Sequence, residues 1–229
     1  MSLNVIIIAH PDDESLFFAS LPLTKKEDEK FVVICVTDAN ADGMGEKRKK
    51  DFMSACQHLG IDEFKWLGFP DVYEKRLYSD ELKNKIKESL SGYELNGCTF
   101  YTHGPLGEYM HPHHQDVSMA VHDLFDGEKI FFPAYNCYPE KVISLTKKQF
   151  QRKTDILSRI YGSETIRFAN LIPASWYEGF SSANLSEVRE IYGYLAGHKP
   201  ELEGKNLSTF LWLEDFITAR GKETQKRLF

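Results

Sequence analysis

Four histidines and two aspartates fall in two short clusters about a hundred residues apart. His10, Asp12 and Asp13 lie within Ala9-His10-Pro11-Asp12-Asp13-Glu14, and His111, His113 and His114 within His111-Pro112-His113-His114. Imidazole and carboxylate together are ordinary zinc ligands, and a catalytic zinc takes three protein ligands and keeps one position open. His111 and His114, three apart, face one cavity if they share a helical turn. Asp12 and Asp13 are adjacent and cannot both turn to one ion. One is expected to bind it while the other accepts a proton from a bound water, whose pKa the ion lowers from ~16 toward ~7. Taken singly, each cluster has a plainer reading: a His-x-x-His pair on a surface, and an acidic helix start after Pro11. Placed together at neighbouring strand ends, they favour a metal site.

That meeting requires a scaffold. Val5-Ile6-Ile7-Ile8 runs without a polar residue into the first cluster, the pattern of a strand buried on both faces of a sheet. Pro11 suits the first turn of a following helix, with Glu14 to Leu21 packed through Leu16, Phe17 and Leu21. Phe31 to Val36 is a second buried strand, followed by a loop of small polar residues from Ala39 to Gly45. Phe52, Ala55, Cys56 and Leu59 fall at helical spacing before Gly60, a C-terminal cap. Glu63 to Leu67 reads as a third strand, and Ser79 caps a helix marked by Leu82, Ile86 and Leu90. Cys98 to Tyr101 is a fourth strand. It leads through a loop, Thr102 to Met110, to the second cluster and a helix carrying Val117, Ala120, Val121 and Leu124. Lys129 to Phe132 is a fifth strand, and Thr146 to Gln149 has the form of a capping box before an apolar stripe of Phe150, Leu157 and Ile160. Trp176 to Phe180 reads as a turn and Leu185–Leu195 as a helix.

Strands alternating with helices imply an α/β fold, Rossmann-like and doubly wound, with a mainly parallel sheet flanked by helices. The usual strand order, 3-2-1-4-5, makes strands one and four neighbours at the switch point, where ligands bind. With 229 residues and no Pro/Ser-rich linker, a single domain over 1–229 is expected, its core at about 4–180 and a looser extension at 181–229. A formal charge of −6 with interspersed signs argues against a nucleic-acid partner. Cys35, Cys56, Cys98 and Cys137 are scattered, with no metal-type spacing, so reduced thiols and a cytoplasmic setting are expected. No apolar run has membrane-spanning length and no secretory leader is expected. A homo-oligomer is compatible with the sequence.

The chain resembles the LmbE-like (PIG-L type) zinc-dependent de-N-acetylases. Ala9 to Glu14 reproduces the family's Ala-His-Pro-Asp-Asp-Glu in full, and His111 to His114 aligns with its His-Pro-Asp-His. Between them Arg48, Asp51, Ala55, Leu59 and Gly60 follow the spacing of its intervening helix motif, and Leu67 to Asp71 resembles its substrate-side loop. The likeness covers about residues 4 to 125 and thins by Tyr161-Gly162-Ser163-Glu164. Carried over, it implies Zn2+ held by His10, Asp13 and His114, with Asp12 as general base, and Fe2+ or Co2+ would suit the same nitrogen and oxygen donors. It also implies that His111 stabilises the oxyanion and protonates the amine, and that Arg48 and Asp71 contact the sugar. One position departs: His113 stands where the motif has Asp. Either Asp116 or another carboxylate then supports His111, or His111 works with a lower pKa.

These readings lead to a metal-dependent hydrolase that removes an N-acetyl group from an amino sugar or its conjugate. An amidase on a larger sugar conjugate and a non-catalytic metal-containing sugar-binding protein are the alternatives. Tyr109 and Trp176 are candidate cleft aromatics, whereas His103 reads as a loop or strand-end residue outside the chemistry.

Overall fold

The computed structural model describes residues 2–166 and 174–224. Its seven-stranded sheet contains β1 (Ser2–Ile8), β2 (Glu29–Thr37), β3 (Glu63–Phe69), β4 (Thr99–Tyr101), β5 (Lys129–Pro133), β6 (Lys141–Ser144) and β7 (Tyr177–Ser181). The order is β3-β2-β1-β4-β5-β7-β6. The first five strands pair in parallel, in the expected order, while β7 runs antiparallel to β5 and to β6. Trp176 to Phe180 is therefore mostly strand rather than turn. Its alternating burial, with Glu178 and Phe180 inward, is a strand pattern too short to stand out locally.

The buried run of β1 serves two cores at once. Ile6 and Ile8 pack on one face with Val33 and Cys35, and Val5, Ile7 and Ala9 on the other with Val32, Ile34 and Val36. Each Val or Ile side chain contributes roughly 1.5–3 kcal/mol on burial, so the strand at the switch point is held from both sides. On the first face lie α1 (Asp13–Phe17), α2 (Ser20–Leu23) and α3 (Gly45–Leu59). On the second lie α4 (Asp80–Ser89) and, after a single irregular turn α5 (Gly107–Met110), the helix α6 (Pro112–Leu124). The helix α7 (Lys147–Asp155) widens into a π-turn at Ile156–Ile160 and is followed by the short α8 (Gly162–Thr165). The chain then adds α9 (Leu185–Leu195) and α10 (Leu213–Thr224). Capping at Ser79, Thr146 and Asn184 is as their side chains suit.

Two local expectations are corrected at the first cluster. Pro11 lies in a turn ahead of α1, not in its first turn, because Asp12 takes a left-handed conformation (φ 96°) at the helix start. The helix expected over Glu14 to Leu21 is broken in two. A continuous helix would bond the Ser20 N–H to the Leu16 carbonyl. Instead that carbonyl accepts from Lys153 Nζ at 3.0 Å, and the Ser20 N–H donates to Glu178 Oε2 at 2.9 Å. Lys153 and Glu178 are buried and paired at 2.5 Å. A distant ion pair has taken both ends of one helical hydrogen bond.

Candidate metal centre

The loops after β1 and β4 leave the sheet side by side, and α6 starts beside them. His10 Nδ1 lies 3.2 Å from His114 Nε2, and Asp13 Oδ2 lies 3.6 Å from the first and 3.5 Å from the second. Zinc bonds of 2.0–2.2 Å in tetrahedral geometry separate ligand atoms by about 3.4 Å. The donor set and its spacing therefore fit a first-row divalent ion. The other carboxylate oxygen, Asp13 Oδ1, is buried with no hydrogen-bond partner among the described residues. An ionised, half-satisfied carboxylate among imidazoles is the environment a cation completes.

Neighbouring groups aim these candidate ligands. The His10 N–H donates to Asp13 Oδ2 at 2.8 Å, fixing the carboxylate under the ring. His114 Nδ1 donates to Glu108 Oε2 at 2.6 Å, which leaves Nε2 to face the triangle. Glu108 Oε2 also accepts from His103 Nδ1 at 3.0 Å, and Oε1 from the Gly104 N–H at 2.8 Å. The His103 ring stacks on His114, with centroids 3.8 Å apart. His103 Nε2 comes within 3.3 Å of Asp13 Oδ2, but it already accepts the Ala9 N–H at 2.9 Å, so it supports the cluster rather than competing for an ion. Gly107 makes this packing possible. Its φ is +70°, and a Cβ there would sit 3.0 Å from Gln115 Cγ and 3.3 Å from His114 Cβ.

Asp12 is buried beside the triangle. Its φ of 96° is costly for a residue with a side chain. Glu14 pins it, accepting from the Asp12 N–H at 3.1 Å, Ser15 Oγ at 2.6 Å and Tyr161 OH at 2.9 Å. Burial pushes the Glu14 carboxyl up to about 7. Ala39, Glu108 and Met110 also hold positive φ around the site, so strain concentrates where side chains converge.

Residues 5–125, just over half of the chain, match the family profile described as PIG-L, GlcNAc-PI de-N-acetylase. The chain belongs to this family. A curated relative, the N-acetylglucosaminyl-phosphatidylinositol de-N-acetylase of Bos taurus, is 31% identical over 134 residues, covering 54% of this chain and 50% of its own. The chain thus spans about half the length of that relative. Among solved structures, the N,N'-diacetylchitobiose deacetylase of Pyrococcus horikoshii superposes with a TM-score of 0.57 at 15% identity, over 79% of this chain and 83% of its own. GalB, the 4-carboxy-2-hydroxymuconate hydratase of Pseudomonas putida KT2440, superposes with a TM-score of 0.51 at 12% identity, over 79% of this chain and 95% of its own. At these identities the likeness concerns the fold, which carries more than one reaction.

Above the triangle this PIG-L family member has a cavity of about 450 Å³, lined among others by His10, Arg48, Asp71, Tyr73, Tyr109, His111 and Glu164. Arg48 pairs with Asp42 at 2.7 Å and Glu164 at 2.9 Å and donates to the Ala39 carbonyl at 2.7 Å, so it ties the loop after β2 to α8. Asp71 Oδ1 stands 3.5 Å from His10 Nε2 and 3.3 Å from His113 Nδ1. Tyr109 and Tyr73 each meet the His111 ring edge-on. Trp176 packs on Tyr177 and is not among the lining residues.

Of the two ways to accommodate His113, the geometry favours a neutral His111. Asp116 is committed elsewhere, to Arg76 at 2.9 Å, Tyr192 OH at 2.8 Å and the Leu77 N–H at 2.6 Å. Burial, with the charged His10 ring beside it, pushes His111 down to about 2. His111 Nδ1 accepts the His113 N–H at 3.3 Å, so its own proton sits on Nε2. Burial opposes charge on His10, but Asp13 and Asp71 outweigh it and hold that ring up to about 9 without an ion bound. Burial pushes His114 down to about 4, in the neutral form a metal ligand needs.

His103, Glu108, Tyr73 and Glu164 join the site although sequence reasoning assigned them no part in it. His103 had one usable signal, its place just past β4 at the edge where β1 also ends. Glu108 had none, since its reach depends on the irregular turn after Gly107.

Proposed function

We propose that the chain is a metal-dependent hydrolase that removes an N-acetyl group from an amino sugar or sugar conjugate. The observation that carries this reading is the triangle of His10 Nδ1, Asp13 Oδ2 and His114 Nε2, with edges of 3.2–3.6 Å, beneath a cavity of about 450 Å³. Family membership supports it, and so does the family's deacetylase description.

His10, Asp13 and His114 would hold the ion, with Zn2+ favoured by the two-imidazole, one-carboxylate set and Fe2+ or Co2+ compatible. A divalent ion there supplies Lewis acidity to a water and to the amide carbonyl. Asp12, the acidic neighbour left over, accepts a proton from the attacking water and passes it to the leaving nitrogen. His111 donates from Nε2 to the carbonyl oxygen as negative charge develops on it. Arg48 and Asp71 lie on the cavity wall, where sugar hydroxyls find donors and acceptors. Amide and water become acetate and amine, with no redox step. The whole of 1–229 is read as one such domain. Four free cysteines suit a reducing, cytoplasmic setting, and no described helix is long and apolar enough to cross a membrane.

Replacing Asp12 with Ala tests the assignment. Acetate release from a panel of N-acetylglucosamine sugars and conjugates should fall by at least ~10²-fold, the scale of a lost general base, while bound metal is retained. Undiminished turnover would remove Asp12 from the mechanism. Stoichiometric metal with no turnover of the wild type on any member would favour the non-catalytic binder.

A further inference from the structure

His10 has a second ring nitrogen, and its surroundings nearly repeat those of the first. His10 Nε2 lies 3.2 Å from His113 Nδ1 and 3.5 Å from Asp71 Oδ1, and the latter two are 3.3 Å apart. These edges match a tetrahedral zinc face, about 3.4 Å, as well as the first triangle does. We infer that His10, Asp71 and His113 form a second divalent-ion site, with the His10 ring bridging the two.

The protons support this. His113 Nε2 lies 3.0 Å from the Val72 carbonyl and 3.1 Å from the Lys75 carbonyl, so the ring proton belongs there. A ring nitrogen aimed in this way by backbone carbonyls is the usual support of a metal-ligating histidine. Nδ1 is left with a bare lone pair directed at Asp71 Oδ1 and His10 Nε2. With His10 Nδ1 committed to the first triangle, one proton on His10 Nε2 is all that three facing acceptors can share. A cation at their centre satisfies all three at once, and that proton leaves to solvent as the ion binds. His113 is fully buried and therefore fixed, whereas the Asp71 and His10 side chains are 17% and 13% exposed and line the cavity, which gives an ion its path. The imidazole that stands where the family motif has Asp thus supplies the third ligand. N/N/O donors select first-row transition ions such as Zn2+ or Cu2+ over Mg2+ or Ca2+. An ion here occupies the cavity wall used by substrate, so filling the site should inhibit turnover. Ion binding stands without the deacetylase reading, and only the inhibition rests on it.

The test is metal stoichiometry of the full chain, stripped with chelator, titrated with Zn2+ and measured by elemental analysis after dialysis against micromolar zinc. Wild type should take two equivalents and His113→Asn one. Asp71→Asn, on the cavity wall, provides a second variant should the buried one not fold, and should weaken the second equivalent at least tenfold. Titration with Cu2+ adds a signature that a merely structural His113 would not move. The electron spin resonance signal of the first equivalent should be quenched by the second through the shared ring in wild type, and not in either variant. One equivalent in wild type, or two in His113→Asn, overturns the second site and leaves the first standing. No bound ion overturns both. Two bound ions with full deacetylation overturn the inhibitory role alone.

Discussion

Asp13 and Glu187 are both carboxylates buried to 0% exposure, and they are handled in opposite ways. Glu187, in the first turn of α9, is saturated. Its Oε1 accepts from the Ser208, Thr209 and Phe210 N–H groups at 3.0, 2.8 and 2.9 Å, and its Oε2 from Ser208 Oγ at 2.6 Å. It clamps the segment before α10 onto α9, beside a core of Phe132, Ile191, Leu207 and Phe210. Asp13 has one oxygen bonded to the His10 N–H and another with no hydrogen-bond partner among the described residues, in a shell of imidazoles. A satisfied buried carboxylate holds structure together. One left incomplete marks a place where an ion is expected.

That contrast is sharpened by exchanging the two outcomes. The largest effect is expected from Asp13→Asn, which should empty the first site and abolish turnover while leaving the urea midpoint unchanged or higher in metal-free protein, because a buried charge is gone. A large loss of metal-free stability with metal retained would invert the assignment. Glu187→Ala should do the reverse. Three N–H groups, one of them on the buried Phe210, lose their acceptor, lowering unfolding free energy by about 2 kcal/mol, with metal content and kcat of the folded protein kept. Glu108→Gln sits between the two, since Glu108 both fixes local structure and orients His114. Its metal affinity should fall 10–100-fold, measured by competition with a chromophoric chelator.

The smallest effect concerns a buried group remote from the site. His122 donates Nδ1 to the Ser118 carbonyl at 2.7 Å, its Nε2 has no partner among the described residues, and burial pushes it down to about 4 from 6.5. The unfolded chain takes up this proton near 6.5 and the folded chain only near 4. Its contribution is therefore intact above pH 6.5 and is lost as pH falls toward 4. Between pH 7 and pH 5 wild type should lose about 2 kcal/mol more than His122→Leu, read from urea midpoints at the two pH values. Parallel pH profiles would show that His122 is not the group responsible.

Much of the fold was legible because its signals are local. Unbroken β-branched runs at β1 and β2, helical spacing in α3 and capping residues at α4 and α7 each act over a few neighbours. The meeting of the two His-rich segments was also legible, as a consequence of strand order. The break between α1 and α2 was not, because the groups that capture the Leu16 carbonyl and the Ser20 N–H come from α7 and β7. For the same reason His103 read as a loop residue, since its partner, the Ala9 N–H, is 94 positions away.

Residue types and their short-range order determined by themselves which side chains could bind an ion and on which sheet edge they would gather. Only the tertiary structure decided which lone pairs point where: Nδ1 of His10 to one triangle and Nε2 to another, His111 protonated on Nε2, Asp116 drawn away by Arg76 and Tyr192. The physical reason is that an imidazole's role is set by the partner of its other nitrogen. Here those partners are backbone carbonyls, a neighbouring N–H and a glutamate on a strained turn, none of which a residue pattern records.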